Sequence, residues 1–331
     1  MRIIHQGLGN IGLGIARLVL ERGHTIVAAV DLDPAKAGQD LGALLGAAPL
    51  GVEVTADAAG ALRQPADILI HCTGSRVRAV LPQLEAAVEA RLDVVSTCEE
   101  LAYPWYHHPE EARRLDDLAR RRGVTVVGLG VNPGFVMDAL PIMLTAPCRD
   151  VTRITAERVV DVSQRRAALQ RKVGVGMTPE AFRAGVREGR LGHVGLVESV
   201  AMIAGALGWE LSRITEEIDP VVDGAAVRGL HQVARGYRAD GDPEAAVMLD
   251  LVMAMGARDP HDAVAIQGTP PLRLVIAGGI HGDIATWAIA ANALPFIVAA
   301  PPGLLSVSRL PLLHLTRPLA QRHRAASPGP A

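Results

Sequence analysis

Along the first 128 residues, short apolar runs alternate with longer stretches in which apolar residues recur every three or four positions. Arg2 to Gln6, Thr25 to Val30, Ala66 to Cys72, Asp93 to Thr97 and Val124 to Gly128 read as strands. Arg76 to Ala90 and Pro109 to Arg122 carry apolar residues on one helical face and charges on the other. The chain between successive strands is long enough for crossover helices, which predicts a parallel, doubly wound α/β sheet covered on its faces.

After Pro133 the rhythm changes. Arg153 to Val162, Val222 to Tyr237, Ala245 to Ala254 and Leu272 to Ala277 are strand-like, whereas Pro179 to Gly189 and Val197 to Leu207 are helical. Strands that follow one another more directly predict an α+β second domain. The expected division is a first domain over residues 1–135, a second over 136–300 whose last helix packs back on the first, and a C-terminal extension over 301–331. From Thr316 the extension has no periodicity and reads as a frayed tail. The apolar stretch Ile284 to Pro302 contains Asn292 and Pro295 and lies beside Asp283, so it reads as a buried helix and loop rather than a membrane span.

Composition narrows the partner. With 49% hydrophobic and 21% charged residues in 331, the chain has the profile of a folded protein with two cores. Its 33 basic and 35 acidic side chains leave a formal charge of −2, which gives no reason to attract nucleic acid or an anionic membrane and points to a small molecule. Three cysteines, Cys72, Cys98 and Cys148, are too few and too scattered for a disulfide framework or a zinc knuckle. A reducing compartment is expected, and no export signal is visible ahead of the first strand, so the cytoplasm is the expected location.

The first candidate chemistry is Gly7-Leu8-Gly9-Asn10-Ile11-Gly12, a GxGxxG that directly follows a strand and opens a helix. Gly7 permits the tight turn, Gly9 lets backbone approach a pyrophosphate, and Gly12 permits close helix packing, with the helix amino terminus facing the phosphates. The loop marks a Rossmann dinucleotide-binding domain. Asp31 ends the second strand, 19 residues beyond Gly12, where a carboxylate would accept from the ribose hydroxyls. NAD is therefore expected over NADP, with Lys36 near enough to leave NADP open. Asp33 reads as a turn residue before Pro34.

Other candidates gather at the carboxyl edge of the same sheet. In His71-Cys72-Thr73-Gly74-Ser75, the small residues would let the nicotinamide lie close to backbone, and Ser75 is placed to N-cap the next helix. Ser96-Thr97-Cys98-Glu99-Glu100-Leu101 brings two carboxylates to the edge where open α/β sheets bind ligands, followed by Tyr103-Pro104-Trp105, whose Trp105 is expected beside the substrate. A carboxylate next to a nicotinamide can hold an ammonium or iminium and take a proton from attacking ammonia.

In Asn132-Pro133-Gly134-Phe135 the chain turns into the second domain; Asn132 and Pro133 either border the cofactor or substrate, or serve the turn alone. His193, flanked by Gly192 and Gly195, is a cleft candidate, and His281 a weaker one. Arg165, Arg166, Arg171 and Lys172 are either a partner for a substrate carboxylate or a solvated face. No metal-ligand cluster and no Gly-x-Ser-x-Gly elbow is present in the sequence.

Taken together, GLGNIG (7–12), STCEEL with the following YPW, GVNPGFVMDALP, ERVVDVSQRR with RKVGVGMTPEAF, GHVGLVES and IHGDIATWAIAANALP resemble the 2,4-diaminopentanoate dehydrogenase family and the related native amine dehydrogenases. The resemblance runs from residue 1 to about 300. It is similar more distantly to dihydrodipicolinate reductases and meso-diaminopimelate dehydrogenases, which pair a Rossmann domain with an α+β domain that carries a dimer interface. The Lys-x-Asp-Ala-Pro-Ser-Gly-Thr type motif of the reductases is missing here.

The resemblance implies NAD(P)-dependent oxidative deamination of a small primary amine, reversed as reductive amination of a ketone by ammonia, in a homodimer. It gives the amine nitrogen to a carboxylate of Glu99-Glu100, with Glu100 the first choice, and puts Asn132 and His193 in the cleft. A cyclic-imine or semialdehyde reductase, which needs no ammonia, and a non-catalytic NAD sensor are the rival expectations.

Overall fold

The computed structural model describes residues 1–315; the tail expected from Thr316 lies outside the described residues. Six strands open the chain: β1 (Arg2–Gln6), β2 (Thr25–Val30), β3 (Val54–Thr55), β4 (Ile68–His71), β5 (Asp93–Ser96) and β6 (Thr125–Gly128). Between them run α1 (Asn10–Glu21), α2 (Leu41–Leu44), α3 (Ala58–Ala61), α4 (Val77–Glu89) and α5 (Pro109–Arg122). All pairings in this sheet are parallel, and β4 and β6 are buried along their whole length, which is why they read as unbroken apolar runs. Helix boundaries follow local chemistry. In α5, Pro109 and the acidic Glu110 and Glu111 start the helix, Arg120 to Arg122 close it, and Gly123 takes the left-handed conformation at its end.

The second domain follows α6 (Ala139–Leu144) and contains β7 (Asp150–Asp161), α7 (Ala167–Lys172), α8 (Pro179–Arg187), α9 (Leu196–Leu207), β8 (Arg213–Asp223), β9 (Ala226–Tyr237), β10 (Val247–Ala254), β11 (His261–Thr269) and β12 (Leu272–Ala277). Its sheet runs β12-β11-β7-β10-β9-β8, with β7 and β10 parallel and every other pair antiparallel. The single strand expected over Val222 to Tyr237 is instead the end of β8, a turn through Gly224 at φ 58°, and β9. Strands β8 and β11 lie outside the expected set: β8 has no fully buried position to mark an inner face, and β11 opens on His261 and Asp262, a buried carboxylate that breaks the apolar run. The core of this domain includes Ile154, Phe182, Val200, Leu230, Leu249 and Ile266.

The chain then returns to the first sheet through α10 (Gly282–Val298) and β13 (Gly303–Leu305). Residues 301–331 are therefore not an extension throughout, since β13 pairs parallel to β6 and completes the order β13-β6-β5-β4-β1-β2-β3. A run of three residues is too short to show a period. Helix α10 packs on α1, where Gly14 makes room for the Trp287 ring; a Cβ there would lie 2.1 Å from a ring carbon. The parallel sheet thus has α4 and α5 over one core (Leu69, Leu84, Val94, Leu115, Val126) and α1 and α10 over the other (Ile3, Ile15, Val19, Ile70, Leu294).

The chain is a Rossmann-type doubly wound parallel sheet joined to a second α+β domain. Among the described residues no helix is long and apolar enough to cross a membrane. All three cysteines are free, and burial pushes the Cys72 and Cys98 thiols up to about 12.

Candidate active site

The glycine loop is shaped by contacts that a side chain would break. Gly7 sits at φ 93°, and a Cβ there would lie 2.5 Å from the Cys72 carbonyl oxygen. A Cβ on Gly12 would meet the Gly7 carbonyl oxygen at 1.9 Å, whereas nothing lies within 4 Å of that position on Gly9. Gly9 N-caps α1 without a side chain, so the first amides of the helix are left open to a ligand.

Leu8 contributes backbone only: its side chain is buried, and its N–H donates to Asp31 Oδ2 at 2.7 Å. Asp31 also accepts from the Asp33 N–H at 2.9 Å and from Lys36 Nζ at 3.0 Å. Burial works to raise the Asp31 carboxyl, but these backbone and lysine hydrogen bonds outweigh it and hold the group below the usual carboxylate range.

A cleft of about 440 Å³ opens where the carboxyl edge of the parallel sheet meets β7 and β10 of the second domain. Of the residues singled out in the sequence, Gly9, Asn10, Ile11, Gly12, Cys72, Thr73, Gly74, Glu99, Asn132, Pro133 and His193 line it, while Gly7, Leu8, Asp31, Glu100 and Trp105 do not. Gly7 and Leu8 shape the loop from beneath. Trp105 packs against the α4–α5 core and edge-on to Tyr103, with ring centroids 5.1 Å apart, so the expected substrate contact is corrected.

The neighbouring glutamates face opposite ways. A 3₁₀ turn over Glu100–Ala102 follows β5 and turns Glu100 inward, 5% exposed. Its Oε1 takes Arg76 at 2.7 Å, and its Oε2 takes the Val77 N–H at 2.7 Å and His108 Nε2 at 3.0 Å. Glu100 therefore caps α4, the task expected of Ser75, and the sequence preference for Glu100 as the cleft carboxylate is corrected. Glu99 lines the cleft, with Oε1 3.8 Å from Lys172 Nζ.

Two cleft-lining residues hold buried polar atoms without a partner: Asn132 Oδ1 and His193 Nε2. The Asn132 amide nitrogen meets Met137 Sδ at 3.3 Å, and the Asn132–Pro133 peptide is cis. The backbone of His193 is clamped on both sides by Gln232, which accepts its N–H and donates to its carbonyl, each at 2.8 Å. Burial first, then the charges of Lys172 and Arg158, push His193 down to about 3, so it is neutral at working pH. Thr73 is fixed beneath the cleft by His71 Nε2 and Gln83 Oε1, both at 2.8 Å.

Sequence reasoning missed the far wall. Arg158 and Val160 on β7 stand beside Leu251 and Met253 on β10, paired in register, and all four line the cleft. The signal was available as alternate residues on two strands, but nothing in the sequence told which face met the first domain. Arg158 is 4% exposed and fully engaged, with Asp262 Oδ1 at 2.6 Å and the Ile280 carbonyl at 2.7 Å. The basic run divides: Arg165, Arg166 and Lys172 line the cleft, and Arg171 does not.

The arrangement fits a nicotinamide dinucleotide, for a cradle that side chains would fill adjoins a cleft containing two unpartnered polar atoms. No group among the described residues could hold a metal ion.

Residues 135–324 match the 2,4-diaminopentanoate dehydrogenase C-terminal domain, and residues 1–102 match the dihydrodipicolinate reductase N-terminus. The chain is 34% identical to the 2,4-diaminopentanoate dehydrogenase of Acetoanaerobium sticklandii, with 94% of each chain covered. It is 24% identical to an amine dehydrogenase of Streptomyces virginiae, covering 92% of this chain and 95% of that one. Among solved structures, the amine dehydrogenase of Mycobacterium smegmatis superimposes with a TM-score of 0.83 at 26% identity, over 96% of this chain and 97% of that one.

Proposed function

Since the chain belongs to the 2,4-diaminopentanoate dehydrogenase family, a family of oxidoreductases, we propose that it is an NAD(P)-dependent amine dehydrogenase, oxidising a small primary amine and, in reverse, aminating a ketone with ammonia. The observation that carries the reading is Glu99: it is the carboxylate of the acidic pair that lines the cleft, together with the Thr73-Gly74 turn and the Val160, Leu251 and Met253 side chains of the second sheet.

A bound nicotinamide supplies the hydride acceptor for the carbon that bears nitrogen. The remaining work falls to side chains of this chain. Glu99 accepts a hydrogen bond from the amine nitrogen and takes its proton, leaving the lone pair free. Lys172, 3.8 Å away, steadies the Glu99 carboxylate from the other domain. Val160, Leu169, Leu251 and Met253 receive the alkyl part of the substrate, and a water entering the open cleft adds to the imine carbon left after hydride loss, so that ammonia departs and the ketone forms. His193, neutral and with Nε2 free, offers a hydrogen bond without adding charge beside a cationic amine.

Asp31 supports NAD as the preferred cofactor, through acceptance from ribose hydroxyls, and Lys36 beside it leaves NADP within reach. The reading includes a homodimer joined through the second domain, as the family resemblance implies.

The test is NADH oxidation followed with a panel of ketones, with and without an amino-acid head group, in the presence and absence of ammonia. Turnover that requires ammonia is expected. Turnover that ignores ammonia would replace the reading with an imine or carbonyl reductase, and tight NADH binding without turnover would leave a sensor.

A further inference from the structure

The phosphate loop is met from across the cleft by a small ionic cluster. Asp283, in the first turn of α10, places Oδ2 3.4 Å from Asn10 Nδ2, and Asn10 is the first residue of α1. The same carboxylate receives two arginines from the loop after β7: Arg165 at 3.0 Å and Arg166 at 3.5 Å. Arg165 is only 10% exposed and Asp283 15%, so this pairing has been withdrawn from solvent. Gly9, Asn10, Gly12, Arg165, Arg166 and Asp283 all line one cavity.

A negative group therefore already stands beside the amino end of α1, on the Asn10 side chain, where the helix dipole favours anions and the backbone amides stay open, and two cations of the second domain reach it. A pyrophosphate carries more charge than one carboxylate and presents several acceptor oxygens to forked guanidinium donors. It would compete for both arginines and for Asn10. We propose that Arg165 and Arg166 form a latch that the second domain closes on the pyrophosphate of the dinucleotide, with Asp283 holding their charge until the cofactor arrives. The proposal rests on the dinucleotide reading given above and assigns the arginines to the cofactor rather than to a substrate carboxylate. It also gives a physical link between cofactor binding and cleft closure, because the cations and the glycine loop belong to different domains.

Titration calorimetry with NADH and with ADP-ribose tests this directly. ADP-ribose retains the pyrophosphate and lacks the nicotinamide, so its affinity is read without any turnover. Loss of a charge-assisted hydrogen bond is worth about 1.5–3 kcal/mol, so Arg165→Ala and Arg166→Ala should each weaken both ligands by about 10- to 100-fold. The dependence of their binding on salt should fall as well. Asp283→Asn removes the competitor and should tighten both ligands several-fold. This variant and Arg166→Ala, whose side chain is 39% exposed, guard against a folding defect in the Arg165 variant. Variants that bind ADP-ribose as the unaltered protein does, or that alter only the KM for amines bearing a carboxylate, would overturn the latch. Unaltered protein that binds neither ligand would overturn the dinucleotide reading with it.

Discussion

Glu99 and Lys172 face each other across the cleft with Oε1 and Nζ 3.8 Å apart, one from the turn after β5 and the other from the end of α7. The adjacent Glu100 is bound from below by Arg76, Val77 and His108. Consecutive residues of the same type thus have separable tasks.

Glu99→Gln should lower kcat/KM for reductive amination by about 10²- to 10⁴-fold, as expected for loss of a general base, with the Kd for NADH unchanged. Glu100→Gln should keep the chemistry and lose stability, by about 1–3 kcal/mol, because a buried hydrogen-bond network loses an acceptor. Steady-state rates and urea denaturation of both variants separate the two. A folded, inactive Glu100→Gln beside an active Glu99→Gln would reverse the assignment.

Cofactor choice should turn on Asp31 and Lys36. Asp31→Ala removes the acceptor of the Leu8 and Asp33 amides and frees Lys36. The ratio of kcat/KM for NAD+ over NADP+ should fall by about tenfold or more, one tenfold step corresponding to 1.4 kcal/mol. Lys36→Ala should move the ratio the other way. A ratio unmoved by either substitution would show that the adenosine ribose lies elsewhere.

The Arg158–Asp262 pair fixes the far wall. Both side chains are at most 5% exposed and 2.6 Å apart, and Asp262 Oδ2 also takes the Ile280 N–H at 2.7 Å. Asp262→Ala leaves a buried guanidinium uncompensated and should cost about 3–5 kcal/mol. The double variant Arg158→Met, Asp262→Leu should recover most of that loss. Urea midpoints with equal m-values would check it, and a single variant as stable as the parent would refute it.

Acid should weaken the protein through three histidines. Burial lowers His5 and His71 to about 4 and His193 to about 3, from an ordinary 6.5. Above 6.5 they are neutral in both states, and their contribution is complete. As pH falls from 6.5 toward 4, the unfolded chain takes up protons that the folded one refuses, so stability drops by up to about 1.4 kcal/mol per unit for each histidine. Denaturation at pH 7, 6 and 5 should show this slope; a flat profile would mean that these rings are reached by water.

The Rossmann half was legible because its signals are local. A glycine loop between strand and helix, and strands buried on both faces, are written in contiguous residues. The second domain was legible only in class, since polar residues interrupt β8 and β11, and in the parallel sheet β13 is too short to show a period.

For the site, the sequence determined which residues stand at the sheet edge, namely Glu99, Glu100, Asn132 and the Thr73-Gly74 turn. Only the tertiary structure shows that Glu99 lines the cleft and Glu100 does not. The two differ by one residue along the chain, and what separates them is the 3₁₀ turn and the Arg76 and His108 partners that donate to one carboxylate and leave the other facing Lys172. The partners on the far wall, Arg158 with Asp262 and Arg165 with Asp283, lie 104 and 118 residues apart in sequence. The first pairing is set by the register of two neighbouring strands and the second by where α10 brings Asp283 against the loop after β7, and no local pattern records either.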